Sequence, residues 1–401
     1  MLSPHSIFLM LFIIPAIEPG TVHPVIFIPG DGGSQVDAKL NKPEVVHYIC
    51  TKTTKDFFNI WLNMELLVPI VMDCWVDNMR LVYDNATRTT SNAPGVELRI
   101  PGWGDPFVVE WLDPTKASSG SYFKDIGNAL TSLGWERNVS IRGAPYDFRK
   151  APNENQEFFV KLKALVEETY KTNNNTPVVL LAHSMGGPMS LYFLHQQSQK
   201  WKDQYIRAMI TLSGAWGGSV KAIKVYAVGD DLGVYVLRQS VLRNMQITAP
   251  SLAWLLPSSL FWKPNEVLVE TYERNYTWSD MKDFFQDIEY EVAWEMWKDV
   301  YKFTLDFTAP GVEVHCLHGY NVQTVERLVY KKGKFPEGSP SFVFGDGDGT
   351  VNKRSLEGCL HWKGNQKQPV YHQTFPNMDH MDVLSDDRII DYISKLFAFK
   401  L

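Results

Sequence analysis

The sequence predicts an α/β layered fold, a sheet of short buried strands alternating with amphipathic helices. Short apolar runs of strand length recur at 25–28, 139–142, 178–182, 208–212, 312–317, 341–344 and 370–375. Helical periodicity falls between several of them: Phe123, Ile126, Ala129 and Leu130 share one face of 122–133, and Phe158, Leu162, Leu165 and Val166 one face of 155–171. The run VVLLAHSMGG at 178–187 sets a serine at the end of a strand and clears the space after it with glycines.

Taken in order, the chain begins MLSPHSIFLMLFIIPAIEPG. Its apolar stretch is too short to span a bilayer and is followed by Pro15 and Pro19, so residues 1–20 are expected to be a secretory leader, although it has no Lys or Arg. The core is expected at 21–44, 81–214 and 308–401. It is interrupted at 45–80, crowded with Trp, Leu, Ile and Met, and at 215–307, rich in Gly, Trp and acidic helices. Insertions placed over strand ends shape a binding site. Four cysteines (Cys50, Cys74, Cys316, Cys359) and four N-glycosylation sequons (Asn85, Asn138, Asn174, Asn275) suit the endoplasmic reticulum route. Net charge is 39 − 45 = −6, and protonating all ten histidines reverses its sign to +4. No basic run suggests nucleic acid.

Strand, sharp turn bearing Ser, then helix is the nucleophile elbow of an α/β-hydrolase fold. The turn needs small residues two positions to either side of Ser184, and Ala182 and Gly186 supply them. The alternative is a serine capping an ordinary helix. A serine hydroxyl attacks only when a base takes its proton and a carboxylate orients that base. SFVFGDGDGTVN offers Asp346 and Asp348 in a Gly-rich loop, whose plainer readings are a turn or a calcium loop. FPNMDHMDVL then offers His380, with His361 and His372 as alternatives, while His183 beside the serine reads as structural. Two backbone N–H groups are needed for the oxyanion. Met185 follows the nucleophile, and Asp31 lies in the loop of VIFIPGDGGS; each donor is worth about 3–4 kcal/mol in the transition state.

These stretches, with AKLNKPEVVHYIC, IWLNMELLVPIVMDCWVDNMRLVY, RGAPYDFRKAPNEN, WKDQYIRAMITLSGAWGGS and PGVEVHCLHG, resemble the lecithin:cholesterol acyltransferase and lysosomal phospholipase A2 family over nearly the whole mature chain, most of all its lysosomal phospholipase A2 (group XV) branch. The resemblance implies Ser184 as nucleophile, Asp348 rather than Asp346 as acid, His380 as base, and Asp31 and Met185 as oxyanion donors. It implies a Cys50–Cys74 disulfide, and a Cys316–Cys359 bridge as in the acyltransferase branch. It departs from the family at Gly32, at Gly187-Pro188 and in LSGAWGG.

The expected activity is a calcium-independent phospholipase A and O-acyltransferase, with no cofactor and no metal. A glycerophospholipid donates the acyl chain, water or a lipid alcohol such as ceramide accepts it, and the enzyme works in the lysosomal lumen or outside the cell. Residues 45–80 are expected to dock on a phospholipid membrane surface through an exposed tip of Trp61, Leu66 and Leu67, as two short amphipathic pieces broken at Pro69. Residues 216–246 read as a mobile lid with Gly217, Gly218, Gly229 and Gly233 as hinges. The alternatives are a secreted phosphatidylcholine–sterol O-acyltransferase, whose branch has a free Cys where Asp31 stands here, and a catalytically silent lipid-binding or transfer protein on the same fold.

Overall fold

The computed structural model describes residues 22–69, 71–116, 120–232 and 238–399. The expected leader at 1–20 lies outside the described residues. Six strands form the central sheet: β1 (Val25–Ile28), β2 (Ile141–Gly143), β3 (Val178–His183), β4 (Ile206–Leu212), β5 (Val314–Tyr320) and β6 (Val370–Pro376). Their order is β6-β5-β4-β3-β1-β2, and all neighbours are parallel. Parallel strands need crossovers, here made largely by helices such as Lys124–Ser132, Gln156–Thr172 and Gly186–His195, and Asp387–Phe399 follows the last strand. Every residue of β1 and β3 is buried, as expected for strands covered on both faces. This is the α/β-hydrolase architecture, with the serine just past the end of the central strand β3.

Three sequence expectations are corrected. The strand expected at 139–142 begins two residues later, because Glu136–Ser140 forms a tight turn in which Ser140 Oγ accepts from Glu136 N–H. The run at 341–344 belongs to a second, four-stranded sheet with Val267–Glu270, Asn275–Thr277 and Val322–Val329. Its Val343 and Phe344 are exposed, so a short apolar run there did not mark the core. Two strands of that sheet also lie in 215–307, a segment without an obvious strand pattern in the sequence.

The third correction concerns 45–80. Its residues Phe58–Trp61 form a strand that pairs with Val36–Leu40, followed by a 3-10 turn Met64–Leu67 and a helix Met72–Met79. Trp61 and Leu67 are not an exposed tip: they retain only 9 % and 2 % of their surface, while Leu66 is half-buried. Trp61 donates its Nε1–H to Gly32 O at 2.7 Å and packs against Trp75 and Phe148. The polar N–H of an indole must find a partner when buried, and the loop after β1 supplies it. Among its described residues, the large apolar side chains that this segment exposes are Val46, Tyr48, Ile49 and Val68. The disulfide Cys50–Cys74 ties the start of the segment to its helix, and Cys316–Cys359 joins β5 to the turn at Glu357–Trp362. All four sequon asparagines are exposed. Among the described residues no helix is long and apolar enough to cross a membrane.

Candidate active site

Ser184 sits at φ 53°, a left-handed backbone that sharply turns the chain out of β3 into the helix Gly186–His195. The strained turn is held because Ser184 N–H donates to Leu212 O at 2.9 Å, on neighbouring β4. Two glycines make the close approach possible. A Cβ at Gly186 would lie 2.4 Å from Ile28 O, and one at Gly30 would lie 2.6 Å from the Ser184 Cβ. The loop after β1 thus presses directly against the serine.

The structure brings Ser184, His380 and Asp348 together from three separate parts of the chain. His380 Nε2 is 2.9 Å from Ser184 Oγ, and His380 Nδ1 is 2.7 Å from Asp348 Oδ2. The ionised carboxylate only accepts, so Nδ1 carries the proton and Nε2 is left to receive the one on Ser184. Asp348 is fully buried. Burial by itself raises its pKa, but His380 and the N–H groups of Val351 and Thr350 outweigh it and hold the carboxyl below its ordinary value. His380 N–H also donates to Asp348 O at 2.8 Å, which fixes one loop against the other. Asp346 lies apart from this relay. It accepts from Asn321 N–H and pairs with the half-exposed Lys353 at 2.9 Å. His372 is engaged with His318 instead, and His361 lies against Phe261 and Phe307.

Among the described residues, neither the Asp31 nor the Met185 N–H is spent on a hydrogen bond. Met185 precedes the helix Gly186–His195, whose positive end adds to the field at this point. Asp31 is exposed, yet protein lies around its carboxyl. That surrounding protein desolvates the carboxyl and pushes it up to about 6, against the Gly32 N–H and Lys221, which lower it, and with Asp230, which raises it. Lys221 and Asp230 come from the segment over the site, where Lys221 and Lys224 both pair with Asp230. Of the expected lid hinges, Gly233 lies outside the described residues. Gly217 is packed tightly, since a Cβ there would meet the Phe261 ring at 2.2 Å.

Two residues matter here whose roles were not apparent in the sequence. His183 is buried and joined on both ring nitrogens, at 2.9 Å to His380 O and at 2.5 Å to the Tyr122 hydroxyl. A carbonyl only accepts, so His183 donates its Nε2–H, its Nδ1 accepts from Tyr122 O–H, and Tyr122 in turn accepts Gly30 N–H at 3.0 Å. Burial pushes His183 down to about 3, which keeps this neutral tautomer in place. One chain of hydrogen bonds thereby connects the loop of Gly30 and Asp31 to the loop of His380. Sequence spacing gives no hint of Tyr122, which is 61 positions from His183.

The family model for lecithin:cholesterol acyltransferase matches residues 57–387. A lysosomal phospholipase A and acyltransferase of Bos taurus is 45 % identical over 390 residues, covering 97 % of this chain and 95 % of the relative. The Homo sapiens protein of that name is 44 % identical over 388 residues, 97 % and 93 % of the two chains. A phosphatidylcholine-sterol acyltransferase of Gallus gallus is 42 % identical over 362 residues, 90 % and 87 %. Among solved structures, the crystal structure of the Tle4-Tli4 complex contains a chain 12 % identical to this one. The match spans 94 % of this chain and 99 % of that one at a TM-score of 0.53, a likeness of fold alone.

Proposed function

This chain belongs to the lecithin:cholesterol acyltransferase family and is an acyl-transferring serine hydrolase with phospholipase and acyltransferase activity, and on that premise we propose how its own residues carry the reaction. Ser184 Oγ attacks the ester carbonyl of a glycerophospholipid while its proton passes to His380 Nε2. The carbonyl oxygen becomes an oxyanion facing the Asp31 and Met185 N–H groups. The carbon–oxygen bond to the glycerol then breaks, and His380 returns the proton to the departing lysophospholipid hydroxyl. Water or a lipid alcohol such as ceramide next gives its proton to His380 and attacks the acyl-Ser184, which restores the serine. The observation that carries this reading is the relay at 2.9 Å and 2.7 Å beside two unspent backbone donors.

A protonated Asp31 donates to the developing oxyanion, whereas an ionised one opposes it, so the reaction is favoured by acid. That suits a lysosomal lumen, the setting in the names of the Bos taurus and Homo sapiens relatives, with secretion as the other destination. A sterol acceptor is less favoured: Asp31 occupies the oxyanion loop, and all four cysteines are in disulfides. A silent lipid-carrying role is disfavoured by the complete relay. Docking on a phospholipid surface is assigned to the exposed Tyr48, Ile49 and Val68.

The experiment is labelling by a fluorophosphonate, followed by product analysis on vesicles of a mixed-chain phosphatidylcholine with ceramide or cholesterol added. Labelling confined to Ser184 and acyl-ceramide formation support the reading. Labelling elsewhere, or cholesterol as the better acceptor, overturns the corresponding part.

A further inference from the structure

Strands β5 and β6 run side by side with Cys316 opposite His372. Side chains in register in a sheet share a face, and positions two apart return to it. Cys316, His318 and His372 therefore project from the same face. The turn Glu357–Trp362 is held to this face by the Cys316–Cys359 disulfide, and Glu357 stands two residues before Cys359. His318 Nε2 and His372 Nε2 are 2.8 Å apart, and one ring nitrogen of each histidine and a Glu357 carboxylate oxygen all lie within 4.8 Å of one another. Three chain segments and a covalent bond converge here, and the reaction derived above uses none of these side chains.

Hydrogen bonding sets the protons. Gly319 O accepts from His318 Nδ1–H at 2.8 Å, so the neutral His318 ring carries a bare lone pair on Nε2. That lone pair faces His372, which donates its own Nε2–H to it. An imidazole whose one nitrogen donates to a carbonyl while the other presents a lone pair is how metal-binding histidines are oriented.

We propose that His318, His372 and Glu357 form a binding site for a divalent transition-metal ion of the zinc type, separate from the Ser184–His380–Asp348 relay. Two imidazole nitrogens and one carboxylate oxygen suit zinc, whereas calcium and magnesium prefer oxygen alone. Ligand distances of about 2.0–2.2 Å place two tetrahedral nitrogens roughly 3.3 Å apart, so the rings need to separate by only about half an ångström. His318 offers its lone pair directly. His372 shifts its proton from Nε2 to Nδ1 and then offers Nε2, so binding releases no net proton from this ring. Glu357 supplies the carboxylate, and water takes the fourth position.

The site is placed to brace the loop carrying His380. Directly after His318, a Cβ at Gly319 would lie 2.0 Å from Met378 O, and Asn377 N–H donates to Tyr320 O at 2.8 Å. A bound ion would clamp β5, β6 and the Glu357 turn into one unit behind that loop, a structural role outside the chemistry.

The test uses the full disulfide-bonded protein, its Ser184 first blocked with a fluorophosphonate so that the triad imidazole is excluded as a ligand. After stripping with a chelator, the protein is dialysed against zinc and the retained metal is measured, and cobalt is added separately for its visible absorption. One equivalent of zinc, cobalt bands of a four-coordinate nitrogen–oxygen site, and a melting temperature that rises with zinc are expected. Glu357→Gln and His372→Gln should each weaken binding at least tenfold, while His361→Gln, outside the cluster, should not. His318 is buried, so if His318→Gln does not fold, the partly exposed Glu357 decides the matter. Less than one retained equivalent, or retention unaffected by both Glu357→Gln and His372→Gln, overturns the proposal.

Discussion

Replacing Tyr122 by Phe removes one oxygen and tests whether the buried hydrogen-bond chain positions the reacting groups. The hydroxyl accepts Gly30 N–H at 3.0 Å and donates to His183 Nδ1 at 2.5 Å. Tyr122 retains only 3 % of its surface, so water cannot easily replace the hydroxyl. Phe leaves two buried polar groups unpaired, each at a cost of about 1–3 kcal/mol, so a loss of about 2–6 kcal/mol in stability is expected. Urea denaturation measures it as a lower midpoint at unchanged slope. The same change frees the loop bearing the Asp31 donor on one side and loosens the His380 carbonyl contact on the other. Complete removal of an oxyanion donor costs roughly 10²–10³ in rate, so a displaced loop is expected to lower kcat about 10-fold. KM should move little, because the hydroxyl touches no substrate. The assay is hydrolysis of a short soluble ester, well below the melting transition. A wild-type kcat in a folded but destabilised Tyr122→Phe would reduce the chain to a structural feature. Wild-type values for both would refute the hydrogen-bond assignment itself.

The remaining predictions concern the triad, the acid response and the insertion. Ser184→Ala should lower kcat on the order of 10⁶-fold and Asp348→Asn about 10⁴-fold, while Asp346→Asn, at its surface pair with Lys353, should be mild; the reverse order of the two Asp variants in an ester assay would reassign the acid. Asp31 is pushed up to about 6, so its neutral form grows as pH falls through that value; Asp31→Asn should extend activity toward neutral pH on a soluble ester, and an unchanged pH–rate profile would refute the local mechanism. The sign for stability follows from the same shift. The raised pKa means stability is lost as pH rises from 3.8 through about 6, so Asp31→Asn should raise the melting temperature at neutral pH more than at acid pH. Trp61→Ser removes a buried ring and its bond to Gly32, so it should cost about 3–5 kcal/mol and impair soluble-ester hydrolysis as well as vesicle hydrolysis. Val68→Ser and Tyr48→Ser should weaken vesicle binding, measured by flotation, and spare the soluble ester.

The sequence by itself determined the features that local chemistry controls. A buried strand, a serine with small neighbours and a following helix can be read within ten residues, because the turn's steric demands fall on adjacent positions. The alternation of strands and helices was legible for the same reason, as periodicity is a local property. Choosing Asp348 over Asp346 needed more than the residues, since both stand in one Gly-rich loop, and the family resemblance supplied the choice. Tertiary structure decided what depends on contacts between distant segments. Trp61 reads as an exposed anchor from composition, yet strand pairing with Val36–Leu40 turns it inward, where Gly32 accepts its N–H. Tyr122, His183 and the His380 carbonyl form one relay, although 61 and 197 positions separate their pairs. His318, Glu357 and His372 converge only because β5 and β6 are adjacent and a disulfide holds the intervening turn on them. Burial and hydrogen-bond direction are properties of packing, and a linear pattern of residue types does not carry them.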